Sequence, residues 1–211
     1  MSSVSDLAPH PSPDPAERPA SDLALGSFNA NPPGMTLRAL WREDFATHDR
    51  DLLAPGFWAI AVHRFGNWRM GVRAAPLRLP LSLLYRMAAR IVQWMGGIDL
   101  PYTTRVGRRV RIWHHSGMTL EALEIGDEVH IRQNTTFGLR RHGDPRWLKP
   151  VIGRGVQIGA GAVLVGPIRV GEGSVIGANV VLAHDVPPES IVTVAPAVMR
   201  PLRRTESPPD A

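Results

Sequence analysis

The chain has 211 residues, of which 44% are hydrophobic, so it can bury one solid core or two small ones, and wholesale disorder is excluded. It contains no cysteine, which excludes disulfides, cysteine-ligated metal sites and catalysis through a thiol, and which fits a reducing cytoplasm. The formal charge of +5 at pH 7 comes largely from arginine. Such a charge suits nucleic acid, anionic lipid or a polyphosphorylated small molecule equally well.

Both ends of the chain have the composition of unfolded segments. Residues 1–33 are rich in proline, serine, alanine and aspartate, and they lack the positively charged start and apolar stretch of a signal peptide. We predict a disordered tail over residues 1–33 and a basic, proline-rich tail over residues 197–211.

A helical region is predicted over residues 34–98. Apolar residues recur at helical spacing from Thr36 to His48 and from Phe57 to Trp68. A third helix is expected to begin in the segment Pro76–Pro80, because proline is tolerated in the first turn of a helix but not in its interior.

The third helix is the most apolar part of the chain. Arg86, Arg90 and Gln93 interrupt it, so we do not predict a membrane span. One helical stripe is expected to pack against the rest of the protein, and it consists of Leu84, Met87, Ala88, Ile91 and Met95. The basic and apolar character of this helix leaves a peripheral membrane contact open as an alternative.

From Val151 to Val186 the sequence repeats every six residues. The hexads open with Ile152, Ile158, Leu164, Val170, Ile176 and Leu182, and four positions later stand Val156, Ala162, Ile168, Ser174, Val180 and Val186. A helix would scatter these positions around its surface, whereas a short strand followed by a tight turn points them all inward. We therefore predict a β-solenoid, in which each rung buries its apolar face by stacking on the next.

The same register extends upstream, so the predicted solenoid domain covers residues 99–196. Its earlier hexads open with Val106, Ile112 and Met118 and, after a slip of one residue, with Ile125, Ile131 and Phe137. Between Gly138 and Pro150 the register stops, and the composition becomes polar and turn-forming. We interpret this segment as an excursion from the wall, and such excursions commonly build binding sites in repeat proteins.

Three segments carry a resemblance to a known family. They are "GIDLPYTTRVGRRVRIWHHSG" from Gly97, "IGDEVHIRQNTTFG" from Ile125 and the hexads from Ile152 to Pro188. With these segments the chain resembles the serine acetyltransferases and their close relatives in polysaccharide biosynthesis. The resemblance implies a mainly β fold with N-terminal α-helices, in which a small helical region precedes a left-handed parallel β-helix of three hexads per coil. It also implies trimers or dimers of trimers, acetyl-CoA as acetyl donor, a site in a groove between neighbouring solenoids, and neither a metal nor a nucleic-acid partner.

The resemblance implies a general base at His114 and an orienting partner at Asp99. His115 is one position away, and because neighbouring strand residues point to opposite faces, the choice between the two histidines stays open. A histidine with an ordinary pKa near 6.5 is able to accept a proton at cytoplasmic pH. The implied reaction is direct transfer, in which the acceptor hydroxyl loses its proton to the base and attacks the thioester without an acyl-enzyme.

Four further residues are candidates for binding CoA. The small residues in the hexad corners of the family correspond to Ala160 and Ala178, where a pantetheine arm would approach closely, although both also fit ordinary tight turns. Lys149 and Arg154 are candidates for neutralising the phosphates.

Trp113, Leu148 and Lys149 depart from the family pattern. They stand where the serine acetyltransferases have an aspartate and an Arg-His pair, groups associated with the amino-acid substrate. Leaving the ammonium or carboxylate of a zwitterion unpaired would cost about 1 to 3 kcal/mol each. We therefore predict a sugar or a related hydroxylated metabolite as acceptor, with L-serine as the alternative.

Two other classes of protein remain as alternatives. A carbonic-anhydrase-like solenoid would place histidines from adjacent coils and subunits around zinc, and the candidate ligands are His114, His115, His130 and His142. A catalytically silent scaffold would use the helical region as a docking surface.

Overall fold

The computed structural model describes residues 26–195, in which three helices precede a solenoid of short strands. The helices are α1 (Leu37–Thr47), α2 (Pro55–Trp68) and α3 (Ala75–Gly96), and a short 3₁₀ turn (Arg69–Gly71) follows α2. Thr36 caps α1, because its hydroxyl oxygen accepts a hydrogen bond from the Ala39 N–H at 3.2 Å. The sequence therefore predicts all three helices, with bounds that differ by a few residues.

The strands form three parallel sheets, which are the three walls of a prism. The first wall contains β1 (Ile98–Asp99), β4 (Met118–Leu120), β7 (Thr136–Gly138), β10 (Val163–Val165) and β13 (Val181–Leu182). The second contains β2 (Arg105–Val106), β5 (Glu124–Ile125), β8 (Val151–Ile152) and β11 (Arg169–Val170). The third contains β3 (Arg111–Ile112), β6 (His130–Ile131), β9 (Gln157–Ile158), β12 (Val175–Ile176) and β14 (Ile191–Val192). From β1 to β13 successive strands lie in successive walls, and the fold is the expected left-handed parallel β-helix.

The interior of the solenoid follows the six-residue register. Every hexad opener from Val106 to Leu182 is at most 3% exposed, and in the six hexads from Ile152 to Leu182 the residue four positions after the opener is also buried. Strands of two or three residues turn one side chain inward and its neighbour outward, so a period of six fills the prism. Ser174 is the polar member of the series; its hydroxyl donates to the Pro187 carbonyl oxygen at 2.9 Å and accepts from the Ser190 N–H at 3.2 Å.

The segment between β7 and β8 leaves the wall, as the broken register predicts. Residues 139–150 form turns and bends on the edge between the first and second walls. Arg140 ties the segment back to a later coil, because its Nη2 donates to the Ala183 carbonyl oxygen at 2.5 Å.

A buried ion pair joins the helices to the solenoid. The Arg64 Nε on α2 donates to the Asp44 Oδ2 on α1 at 3.0 Å, and both side chains are fully buried. The guanidinium also donates to the carbonyl oxygens of Val106, at 2.6 Å, and Gly107, at 2.5 Å. Arg64 therefore satisfies acceptors of the first coil as well as the carboxylate.

The packing of the α3 stripe was predicted wrongly. Leu84, Met87, Ile91 and Met95 are between 49% and 81% exposed, and Ala88 is half-buried. The other side of α3 carries the buried Tyr85, and Val92, which packs against the core cluster, so the stripe faces away from the described chain. Within residues 26–195, no helix is long and apolar enough to cross a membrane.

The end of the predicted N-terminal tail lies against α2. The Ala30 N–H donates to the Asn67 Oδ1 at 3.2 Å, and the Asn31 side-chain amide donates to the Arg64 carbonyl oxygen at 2.9 Å. The rest of the two predicted tails, residues 1–25 and 197–211, lies outside the described residues.

Candidate active site

His114 and His115 lie exposed in the turn between β3 and β4, which connects the third wall to the first. We call the stack of turns between these two walls the histidine edge. The backbone of the histidine turn is held on both sides: the Ser116 N–H donates to the Gly96 carbonyl oxygen at 2.8 Å, and the Asn134 N–H of the next coil donates to the Ser116 carbonyl oxygen at 3.0 Å. The exposed imidazoles therefore stand on a fixed turn.

Two glycines make this arrangement possible. Gly97 ends α3 with φ of +61°, so the chain turns directly from the helix into β1. Gly117 has φ of +64°, and a Cβ built on it would lie 2.5 Å from the Asn134 Oδ1. Both positions require the left-handed region that glycine adopts without strain.

Asp99 points outward from β1, beside Thr119 of β4 in the parallel register. Its Oδ2 accepts a hydrogen bond from the Gln93 side-chain amide of α3 at 3.4 Å. Burial raises the pKa of the Asp99 carboxyl, and the nearby negative charge of Glu121 raises it further. Within the described chain, no hydrogen bond joins Asp99 to His114, so the role implied for Asp99 stays a prediction.

Trp113 is fixed beside the histidine turn. Its indole Nε1 donates to the His130 Nδ1 at 3.0 Å, and the Arg111 guanidinium carbon lies 3.7 Å from its ring centroid. Burial lowers the pKa of His130, and the charge of Arg111 lowers it further, which favours the neutral imidazole that this hydrogen bond requires. The side chain of Trp113 remains 42% exposed.

Sequence reasoning missed the supporting groups of Trp113, although the hexad register contained the signal. Arg111 and His130 are direct partners in the pairing of β3 with β6, so their outward side chains are neighbours. Counting the same register upstream would have placed both beside Trp113.

The two alanine candidates lie on the histidine edge. Ala160 follows β9 and Ala178 follows β12, and the Asn179 N–H donates to the Ala160 carbonyl oxygen at 2.8 Å. His114, Ala160 and Ala178 therefore occupy turns of one edge in different coils. The short side chains of the two alanines leave the backbone of this edge accessible to a ligand.

The two basic candidates lie on the other two edges of the prism. Lys149 precedes β8, is buried, and places its Nζ 2.8 Å from the Glu121 Oε2. Arg154 follows β8, and its Nη2 lies 2.9 Å from the Glu128 Oε2. The structure thus separates Lys149 and Arg154 from the alanines within one chain, and each already has a carboxylate partner.

Within one chain, the histidines considered as zinc ligands do not come together. Within residues 26–195, no group of three or more His, Cys, Asp or Glu side chains is placed to hold a metal ion. His130 instead accepts the indole proton of Trp113.

The hexads of residues 149–184 match the family model described as bacterial transferase hexapeptide (six repeats). With the prism fold, this match places the chain among the hexapeptide-repeat proteins. The serine acetyltransferase of Mycobacterium tuberculosis is 36% identical over 151 residues, which cover 67% of this chain and 59% of the relative. That of Bacillus subtilis is 31% identical over 166 residues, which cover 74% of this chain and 73% of the relative. The chain belongs to the serine acetyltransferase family.

Solved structures agree with this assignment. The serine acetyltransferase of Neisseria gonorrhoeae in complex with serine matches with a TM-score of 0.58 at 28% identity, covering 77% of this chain and 68% of that one. Isoform 3 from Entamoeba histolytica in complex with cysteine matches with a TM-score of 0.62 over 80% of this chain and 62% of that one, and its 23% identity supports the fold alone. The chain spans only 59% and 51% of the first two curated relatives that it matches.

Proposed function

We propose that this protein is an acetyl-CoA-dependent O-acetyltransferase that uses His114 as its general base. The supporting observation is the histidine edge, where an exposed imidazole on a fixed turn shares an edge with Ala160 and Ala178. Membership of the serine acetyltransferase family supports acetyl transfer over a silent scaffold. A trimer, which the sequence resemblance implies, would set the edge of one solenoid against its neighbour and form the groove.

The proposed reaction is a direct transfer. A neutral His114 takes the proton of the acceptor hydroxyl while the hydroxyl oxygen forms a bond to the thioester carbonyl carbon. The tetrahedral intermediate collapses as the carbon–sulfur bond breaks, and the CoA sulfur leaves with the proton held by His114. Asp99 would orient the imidazole. The chain has no cysteine, so a thiol acyl-enzyme does not form.

L-Serine is the acceptor that the comparisons favour over a sugar. The curated relatives are named serine acetyltransferases, and the Neisseria enzyme was solved in complex with serine. A sugar acceptor, which we predicted from the sequence, therefore becomes the second candidate.

Two contacts in the structure favour a sugar acceptor. A substrate carboxylate at Lys149 would have to compete with Glu121, whose Oε2 already lies 2.8 Å from the lysine Nζ. Trp113 offers an exposed indole where the family has an aspartate, and Arg111 covers one face of that ring, which leaves the other face for an apolar or sugar surface. Both contacts suit a hydroxylated acceptor without an α-ammonium and α-carboxylate.

The test is acceptor-dependent release of CoA thiol from acetyl-CoA, across a panel of L-serine, homoserine, free sugars and nucleotide-linked sugars. We expect release with at least one acceptor, and we expect His114→Ala to reduce kcat by about 10² to 10⁴ without unfolding the protein. His115→Ala is the matched control, because it removes the neighbouring exposed imidazole and should retain most of the activity. Full activity in His114→Ala, or no release and no acetyl-CoA binding by the wild type, would contradict the proposal.

The variant Trp113→Asp separates the two acceptors within the same panel. The new carboxylate can pair with a substrate ammonium, so kcat/KM for L-serine should rise by about tenfold if serine already binds weakly here. If a sugar is the natural acceptor, the same change should instead reduce kcat/KM for that sugar.

A further inference from the structure

The stretch from α2 to β1 carries charge of one sign only. Residues 52–98 contain no aspartate or glutamate and six arginines. Arg64 and Arg69 are buried in the fold. The other four are exposed, and they are Arg73, Arg78, Arg86 and Arg90. None of these four forms a salt bridge within residues 26–195, although the Arg90 Nη1 donates to the Gln93 Oε1 at 3.2 Å and its charge acts on the nearby Asp99 carboxyl.

The same stretch exposes a continuous apolar surface along α3. Eight large apolar side chains are between 49% and 81% exposed, and they are Leu77, Leu79, Leu83, Leu84, Met87, Ile91, Trp94 and Met95. We call this surface the α3 face. Apolar surface of this extent, bordered by polar residues, marks an interaction site on a folded protein.

We propose that the α3 face docks on the surface of an anionic lipid bilayer, independently of the acetyl-transfer activity. Leu84, Met87 and Ile91 follow one another at helical spacing on one side, while Arg86 and Arg90, four positions apart, flank them. This is the pattern of a helix that lies in the plane of the interface, with its apolar row among the acyl chains. In this orientation the long arginine side chains beside that row would extend from the acyl chains to the lipid phosphates.

Charge complementarity favours this partner over a second copy of the chain. If the α3 face packed on itself across a two-fold axis, arginines would oppose arginines, and residues 52–98 would supply no carboxylate to pair with them. An anionic bilayer offers negative headgroups and an apolar interior in the order that the α3 face requires. Trp94 at the end of the row also suits the headgroup level, where tryptophan is enriched.

The experiment is co-sedimentation of the full chain with vesicles of phosphatidylcholine alone or with about one quarter phosphatidylglycerol. We expect binding to the anionic vesicles that is at least tenfold stronger than to the neutral ones and that weakens as salt rises. Arg86→Gln/Arg90→Gln should lower the binding by about 30-fold, since each arginine near an anionic surface contributes about 1 kcal/mol. Leu84→Ser/Met87→Ser should lower it by at least tenfold.

Matched controls lie on the solenoid. Arg146→Gln/Arg169→Gln removes the same charge, and Val181→Ser/Ile191→Ser removes exposed apolar side chains, so both should bind vesicles as the wild type does. Equal binding to neutral and anionic vesicles, or none to either, would overturn the proposal. So would a Leu84→Ser/Met87→Ser protein whose molar mass in light scattering falls while its vesicle binding is unchanged, because the α3 face would then be an interface between copies.

Discussion

The solenoid and the helical region achieve burial in opposite ways. Along the axis of the solenoid the hexad openers are apolar and inaccessible, and the few polar side chains there are small hydroxyls such as Ser174. In the helical region the interior contains the Asp44–Arg64 ion pair, His48 and His63, while large apolar side chains of α3 face outward. The solenoid buries its apolar side chains by stacking coils of the same pattern. The helical region leaves the apolar side chains of α3 exposed, where a partner outside the chain can cover them.

This difference indicates that the solenoid contributes mainly to stability and that the α3 face is available for binding. Each coil of the solenoid covers the next, so its apolar surface is already used in folding. The helices attach to the first coil through hydrogen bonds such as those from Arg64 to the carbonyl oxygens of Val106 and Gly107. These contacts do not involve the α3 face, which stays exposed. We therefore expect substitutions in the solenoid to affect folding, and substitutions on the α3 face to affect binding.

The strongest test of this contrast places the same charge in both regions. Ile158→Asp puts a carboxylate on the axis of the prism, where no partner is available, and we expect a loss of at least about 4 kcal/mol in the free energy of unfolding. Leu84→Asp puts it on the exposed α3 face and should cost less than about 1 kcal/mol. Urea unfolding at one protein concentration measures both. Similar losses for the two variants would show that α3 is packed in the assembled protein.

The next test concerns the ion pair that attaches the helices. Arg64→Met leaves the Asp44 carboxylate buried without its partner, and it removes the donors to Val106 and Gly107, so it should cost about 3 to 5 kcal/mol. The double variant Asp44→Leu/Arg64→Met removes the stranded charge and should be more stable than the single variant in the same unfolding experiment. Equal instability of the two would assign the loss to the solenoid carbonyls instead.

Arg154→Gln is the surface comparison for this test. Its pair with Glu128 is exposed to solvent, so the unfolding midpoint should not change measurably. A large shift would contradict the view that the solenoid is stabilised by its apolar interior.

The solenoid was predictable from the sequence because its burial is local. An opener such as Ile176 is buried by the coils above and below it, which carry the same pattern, so the period alone fixes which side chains point inward. The existence of α3 was equally predictable. Its orientation was not, because an apolar stripe indicates that a surface will be covered but not by which partner.

The candidate site was only partly predictable for a similar reason. The sequence resemblance indicated His114, Ala160 and Ala178, which lie on turns whose place in the coil follows from counting hexads. The partners of Lys149 depend on where the excursion before β8 returns to the wall, and its pair with Glu121 has no periodic signal. Contacts made by irregular segments cannot be inferred from the six-residue period.

The last effect that we predict is a dependence of stability on pH arising from the helical region. Burial lowers the pKa of His63 to about 3, and the charge of Arg64 acts in the same direction. Its Nε2 lies 2.8 Å from the Thr104 carbonyl oxygen, to which the neutral ring donates. Burial also lowers the pKa of His48, whose Nε2 lies 3.3 Å from the Ile112 N–H and accepts from it.

The sign of the effect follows from proton binding. Below the unfolded pKa of about 6.5, the unfolded chain takes up a proton at position 63 that the folded chain rejects until about pH 3, so stability decreases as the pH falls through this window. His63 contributes about 1.4 kcal/mol per pH unit once the unfolded side chain is charged. His63→Gln keeps an amide donor for Thr104 but cannot titrate. Between about pH 5.5 and pH 4, its free energy of unfolding should therefore fall less steeply than that of the wild type, by about 1.4 kcal/mol per pH unit. Parallel slopes in urea unfolding would mean that the folded protein binds a proton at His63 as readily as the unfolded chain does, which would contradict the lowered pKa of this buried histidine.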